Sequence, residues 1–169
     1  MNKALSLLAV ALLLATSGCA GYQYGVSKPA RLAKVTKLAV PVFKNDSLIP
    51  RIEALTTNAL IKKLQISGAY KIVNRDEADA VLKGEIFDIQ RSQFRSNESN
   101  TLYTAEILMR LRINFTIEDN DGNKLMVGQQ IGYSNLVVDT NFQLTQTQVL
   151  ADAAERFATD MANQITQGW

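Results

Sequence analysis

Residues 103–135 read YTAEILMRLRINFTIEDNDGNKLMVGQQIGYSN. Tyr103, Ala105, Ile107, Met109, Leu111, Ile113, Phe115 and Ile117 alternate with a mostly polar set that includes Glu106, Arg110, Arg112, Asn114 and Glu118. Successive side chains of a strand point to opposite faces, so this period of two describes one long strand with one buried face. Asp119-Asn120-Asp121-Gly122-Asn123 follows, and Asn, Asp and Gly tolerate the positive φ that tight hairpins need. Leu125, Val127, Gln129, Ile131, Tyr133 and Asn135 then carry a partner strand back. A long antiparallel hairpin is therefore the expected centre of the fold.

Upstream, Ala80–Ile89 forms a further strand, preceded by the acidic turn Asp76-Glu77-Ala78-Asp79 and a short strand at Tyr70–Val73. Ile52, Leu55, Ala59, Leu60 and Leu64 recur at helical spacing, and Gly68 stands where a helix C-cap belongs. Lys37–Phe43 is a β-rich run ended by the turn formers Asn45-Asp46-Ser47, and Pro41, with no ladder N–H, places that strand at an edge or near its own end. Downstream, Leu150, Ala154, Phe157, Met161 and Ile165 make an amphipathic closing helix. The order β-α-β-β-β-β-α predicts an α+β fold, a two-layer sandwich with two helices packed on one face of a mostly antiparallel sheet.

The N-terminus reads differently. Lys3, an apolar run from Ala4 to Ala15 and the small-residue exit Thr16-Ser17-Gly18 before Cys19 fit an export signal, and the run is shorter than the roughly 20 apolar residues a membrane span needs. Cys19, the only cysteine, sits where a lipoprotein is acylated, although Thr16 stands where Leu, Val or Ile is usual. Ala20 replaces the aspartate that retains lipoproteins in the inner membrane, which implies outer-membrane delivery with the domain on the periplasmic side. Three acyl chains at Cys19 exceed the two signals that stable anchoring takes. The expected organisation is a signal peptide over 1–18, a lipidated tether over 19–36 and a single α+β domain over 37–169.

The chemistry available is narrow. The chain has no histidine, and its one thiol is committed to lipid, so neither a Ser-His-Asp nor a Cys-His site can form. No phosphate-binding glycine loop occurs, and no metal, cofactor or enzymatic activity is expected. Asp76, Glu77 and Asp79 leave a carboxylate-pair hydrolase formally open, but such clusters commonly cap turns. The whole chain has 18 basic and 16 acidic residues, and loss of Lys3 with the signal leaves 17 against 16, which argues against a nucleic-acid partner. The remaining candidates are cationic. Arg91 and Arg95 follow the third strand near a hairpin tip, Arg110 and Arg112 point the same way from the polar face of the long strand, and Lys124 opens the next one. Guanidinium groups pair bidentately with phosphates, so these residues could meet an anionic glycolipid, or they could be solvated charges on a sheet face. Phe87, Phe94, Leu108 and Leu136 on or near that face hint that a partner or lipid covers part of it.

Several fragments in order resemble the LptE family of lipopolysaccharide-assembly lipoproteins: Cys19-Ala-Gly-Tyr22, Leu38-Ala-Val-Pro-Val-Phe-Lys-Asn-Asp-Ser47, Pro50-Arg-Ile-Glu-Ala-Leu-Thr-Thr-Asn-Ala-Leu60, Gly68-Ala-Tyr-Lys-Ile-Val-Asn-Arg75, Ala78-Asp-Ala-Val-Leu-Lys-Gly-Glu-Ile86 and Ile165-Thr-Gln-Gly-Trp169. The resemblance implies a two-layer domain that plugs and helps assemble the outer-membrane β-barrel LptD and binds lipopolysaccharide. The second reading is a periplasmic regulatory or scaffold lipoprotein for cell-wall synthesis or a secretion pore, which shares the strand, Asn turn and helix of residues 38–60. The long hairpin within residues 80–137 suits a barrel plug better.

Overall fold

The structure, a computed structural model, describes residues 28–97, 100–137 and 142–167, with side chains described for 28–92, 106, 108–135 and 147–167. Cys19, the signal peptide and most of the tether lie outside these residues. Six strands run β1 Lys37–Ala39, β2 Lys44–Asn45, β3 Lys71–Ile72, β4 Ala80–Asn97, β5 Asn100–Asp119 and β6 Lys124–Val137. Helix α1 spans Ile52–Ser67 between β2 and β3, and α2 spans Phe142–Gln167 after β6. The sheet order is β3-β1-β4-β5-β6, with β2 also paired to β4. The long strands β4, β5 and β6 form an antiparallel meander, while the short strands β1, β2 and β3 join in parallel. Both helices pack on one face, so the expected α+β two-layer fold is the one adopted.

The buried stripe of the long strand is Met109, Leu111, Ile113, Phe115 and Ile117. Against it pack Leu60 and Leu64 of α1 and Ala153, Phe157, Met161 and Ile165 of α2, with Leu38, Phe43, Leu82 and Ile86 closing the core. Phe43 and Phe157 meet edge to face, centroids 6.1 Å apart at 82°, the arrangement that brings a ring's positive edge to its partner's negative face. Gly68 takes φ 65° and its N–H donates to the Gln65 carbonyl, ending α1 where the sequence placed its cap.

Three expectations need correction. The single strand Lys37–Phe43 is broken: β1 ends at Ala39 and β2 begins at Lys44, because Pro41 cannot donate to the ladder. In α1, Leu55 is exposed, and Thr56 and Thr57 take buried positions instead. The Thr57 hydroxyl donates to the Glu53 carbonyl at 2.7 Å and accepts the Phe43 N–H at 3.0 Å, so it ties the broken strand to the helix. Residues before Lys37 are not all tether, since Leu32 and Val35 are buried in the core and the Lys28 ammonium lies 4.3 Å from the Tyr70 ring centre.

The faces of β6, which the sequence left open, follow from its register. Pairing runs Glu118↔Lys124 and then Ile117↔Met126, a one-residue shift. Such a shift sends every following side chain to the opposite face. Met126, Gly128, Gly132 and Ser134 therefore face the helices, while Val127, Gln129, Ile131, Tyr133 and Asn135 line the other side. The glycines are a steric requirement: a Cβ on Gly132 would stand 2.2 Å from the Ala153 carbonyl oxygen and 2.7 Å from Phe157 Cβ, and one on Gly128 would meet the Phe115 ring at 2.8 Å.

Candidate functional site

The face of the sheet away from the helices is open, and its side chains form rows across β4, β5 and β6. The pairings set Gln90, Arg110 and Tyr133 in one row, Asp88, Arg112 and Ile131 in the next, then Glu85, Asn114 and Gln129, then Lys83, Thr116 and Val127. Lys124 stands opposite Glu118 at the turn end.

Most charges on this face are paired across strands. Lys83 donates to Glu118, and Lys44 reaches Asp46 and Glu85 at 2.8 Å each. Those bonds to Asp46 and Glu85 hold the Lys44 ammonium above the usual lysine range. The hydrogen bond from Lys83, helped by the charges of Lys83, Lys124 and Arg75, pulls the Glu118 carboxyl below its ordinary value. Arg112 lies 3.6 Å from Asp88, and its Nε is buried with no hydrogen-bond partner among the described residues. No ion pair is formed by the half-buried Arg110 among the described residues. Among the described residues of this face Lys124 and Arg110 form no ion pair, and Arg112, two residues from Arg110, holds only the 3.6 Å contact with Asp88. Beside the two arginines stand Tyr133, 51% exposed, and Ile131, 37% exposed, so cations adjoin an apolar stripe. Nearer the turn end, a shallow cleft of about 390 Å³ is lined by Val42, Lys44, Lys83, Glu85 and Glu118 among others.

The five cationic candidates do not form one cluster. Arg110 and Arg112 share the open face as expected, and Lys124 shares it at the turn end, several rows away. Arg91 and Arg95 do not follow a strand but lie within β4, which runs on to Asn97. Phe87 is the extra residue of a bulge between Ile86 and Asp88, and beyond it Arg91 pairs with Met109, which puts it on the helix side of the sheet. The Arg95 backbone pairs with Glu106, and its side chain lies outside those described. Of the apolar residues expected on this face, Leu108 is half-buried in β5 and Phe87 half-buried at the bulge. Phe94 and Leu136 have side chains outside those described.

Tyr133 and Ile131 were not singled out from the sequence as neighbours of the arginines. The signal that finds them is register, and it becomes usable only once the bulge at Ile117 and Glu118 is known. The acidic turn does no visible chemistry. Asp76 and Glu77 are exposed on a 3-10 turn, and Asp79 is occupied with the backbone N–H groups of Thr36 and Lys37 and the Thr36 hydroxyl at 2.7–2.9 Å. Those donors, the Lys37 N–H first, lower its pKa to about 2.

Among the described residues no helix is long and apolar enough to cross a membrane. No curated protein sequence matches the chain. Solved structures with a similar fold include a minor lipoprotein from Acinetobacter baumannii, 21% identical with a TM-score of 0.52, covering 78% of this chain and 92% of that one. A putative neuraminyllactose-binding hemagglutinin homolog from Helicobacter pylori is 11% identical with a TM-score of 0.54, over 79% and 84% of the two chains. A Xanthomonas campestris protein is 11% identical with a TM-score of 0.53, over 85% and 92%. At these identities the likeness is one of fold. The family model for lipopolysaccharide assembly, LptE, matches residues 35–167, which span both helices and all six strands. The chain belongs to the LptE family of lipopolysaccharide-assembly proteins.

Proposed function

We propose that this chain is lipid-anchored through Cys19 at the periplasmic side of the outer membrane, fills and helps assemble an LptD-like β-barrel, and binds lipopolysaccharide on the open face of its sheet. The observation that carries the binding reading is the placement of Arg110 and Arg112 beside Ile131 and Tyr133. Lipopolysaccharide presents phosphates next to acyl chains. A guanidinium pair next to an apolar stripe matches both parts, since arginine takes phosphate bidentately and the stripe gains from leaving water. Lys124 is a more distant contributor on the same face. Arg91 lies on the opposite side and would contribute only where the strand projects past the helices. A barrel of many strands has a wide lumen that something must fill, and a two-layer domain with one uncovered sheet face supports that role.

The test is equilibrium binding of lipopolysaccharide to the full-length protein and to the variant Arg110→Glu, Arg112→Glu. Loss of most binding with unchanged circular dichroism is expected. Equal binding by the variant would remove the open face from the account.

A further inference from the structure

The outer edge of β6 is unusual for a sheet that ends in solvent. The strand is 14 residues long and, among the described residues, pairs only with β5. From Leu125 to Val137 it contains no charged residue and no proline. Edge strands are ordinarily guarded by lysine, proline, brevity or a covering element, because their unpaired N–H and C=O groups template the pairing of another chain. The opposite edge follows that rule, being β3 with two residues. Lys124 opens the strand at its turn end, and Arg156 of α2 lies 5.7 Å from the Tyr133 ring centre with its charge matched by Asp152 at 3.0 Å.

Along this edge, β6 and the outer flank of α2 enclose two adjoining hollows of about 570 and 230 Å³. Gln130, Asp160, Asn163 and Gln164 line the first, and Tyr133 and Thr159 help line the second. Polar side chains line both hollows, and Gln164 is one of them, its Oε1 buried with no hydrogen-bond partner among the described residues. On the other side of the same strand, Val127 and Ile131 are 61% and 37% exposed, and Tyr133, 51% exposed, borders both sides.

We propose that the β6 edge receives one extended segment of a partner protein, which adds a strand to the sheet. Backbone hydrogen bonds supply the affinity in this mode, and alternate side chains supply the specificity. The incoming segment is polar on the side that enters the groove over α2, where it meets Gln130, Asp160 and Asn163, and apolar on the side that extends the Val127 and Ile131 stripe. A second copy paired antiparallel, with its helices on the same face, does not fit. The α2 backbone lies directly beneath Gly132, so pairing two β6 edges at about 4.8 Å would bring two α2 helices closer than the roughly 8–10 Å their axes require. The occupant is a strand with no helix on that face. The inference stands on the edge itself, whatever barrel or scaffold the partner belongs to.

The test compares residue-resolved amide exchange over residues 124–137 in two preparations: the lipidated full-length chain purified alone in detergent, and the same chain extracted from membranes with its partners bound. Alternate amides of β6 are expected to slow by about tenfold or more in the assembly, since only those facing outward gain a bond. In the variant Gln129→Lys, Ile131→Lys that gain is expected to vanish while circular dichroism of the chain alone stays unchanged. Equal exchange in the two preparations overturns the proposal, as does slowing of successive rather than alternate residues. Protection that appears in the chain alone and rises with its concentration overturns it in favour of self-pairing. Mass spectrometry of the extract identifies the partner separately, so a missing barrel and a missing strand are distinguishable outcomes.

Discussion

Single residues decide both how the lead-in is held and what the open face can bind. Asp79 gathers three donors from Thr36 and Lys37 at the mouth of β1, and its pKa is lowered to about 2 from 3.8. A carboxyl with a depressed folded-state pKa contributes stability that is present above the unfolded value and is lost as pH falls through the folded one. Asp79→Asn is therefore expected to lower the melting temperature at pH 7, and the difference from the parent should shrink as pH drops from about 4 to about 2. An unchanged difference at pH 2 would show that the carboxylate charge is not what holds Thr36 and Lys37. The sequence showed Asp79 as one of an acidic cluster and could not show this role, because its partners lie 42 and 43 residues away. Thr57 was hidden for the same reason: its helical position reads as polar and solvated, yet its hydroxyl is the only described side-chain acceptor found for the Phe43 N–H. Arg110 and Arg112 were legible as a pair, since two residues apart on one strand must share a face.

Elements were legible wherever their period was unbroken, and went astray at bulges. The alternation from Met109 to Ile117 gave the core stripe directly, and Gly68 gave the end of α1. One inserted residue at Phe87 and one register shift at Glu118 set the faces of Arg91 and of the odd-numbered residues of β6, which the sequence had left open. Periodicity carries no mark of such a shift, because the pattern on either side of a bulge remains a period of two. The glycines of β6 did carry a signal. Gly128 and Gly132 stand on the helix side of the strand where Phe115 and α2 press closest. Gly132→Ala is expected to destabilise the protein by about 1–3 kcal/mol, because the nearest obstacle is helix backbone, which cannot rotate away. Urea unfolding measures this, and a change of less than about 0.5 kcal/mol would mean that α2 is not seated on β6 as described.

At the scale of the whole molecule, the chain enters beside the turn that joins β5 to β6. The starts of β1, β4 and β6 and the end of β5 share one end of the sheet, and Tyr70 there donates its hydroxyl to the Ile165 carbonyl near the end of α2. The nine peptide steps from Cys19 to Lys28 span at most about 30 Å. With Cys19 acylated, a fluorophore at Asp121 is expected to be quenched by headgroup-attached quenchers more strongly than one at Ser92, which is well along β4 toward the other end of the sheet. Equal quenching would detach the fold's orientation from the anchor. The family and the two-layer architecture could both be read from the sequence, through the long hairpin and a series of ordered fragments. The partner could not, since what a surface meets is written in register and exposure rather than in composition. The most direct measurement is extraction of the tagged, lipidated protein from membranes in mild detergent, with quantitative mass spectrometry of what accompanies it. A large outer-membrane barrel in near-equal amount is the predicted result. Cell-wall synthases or secretion subunits with no barrel would contradict the account.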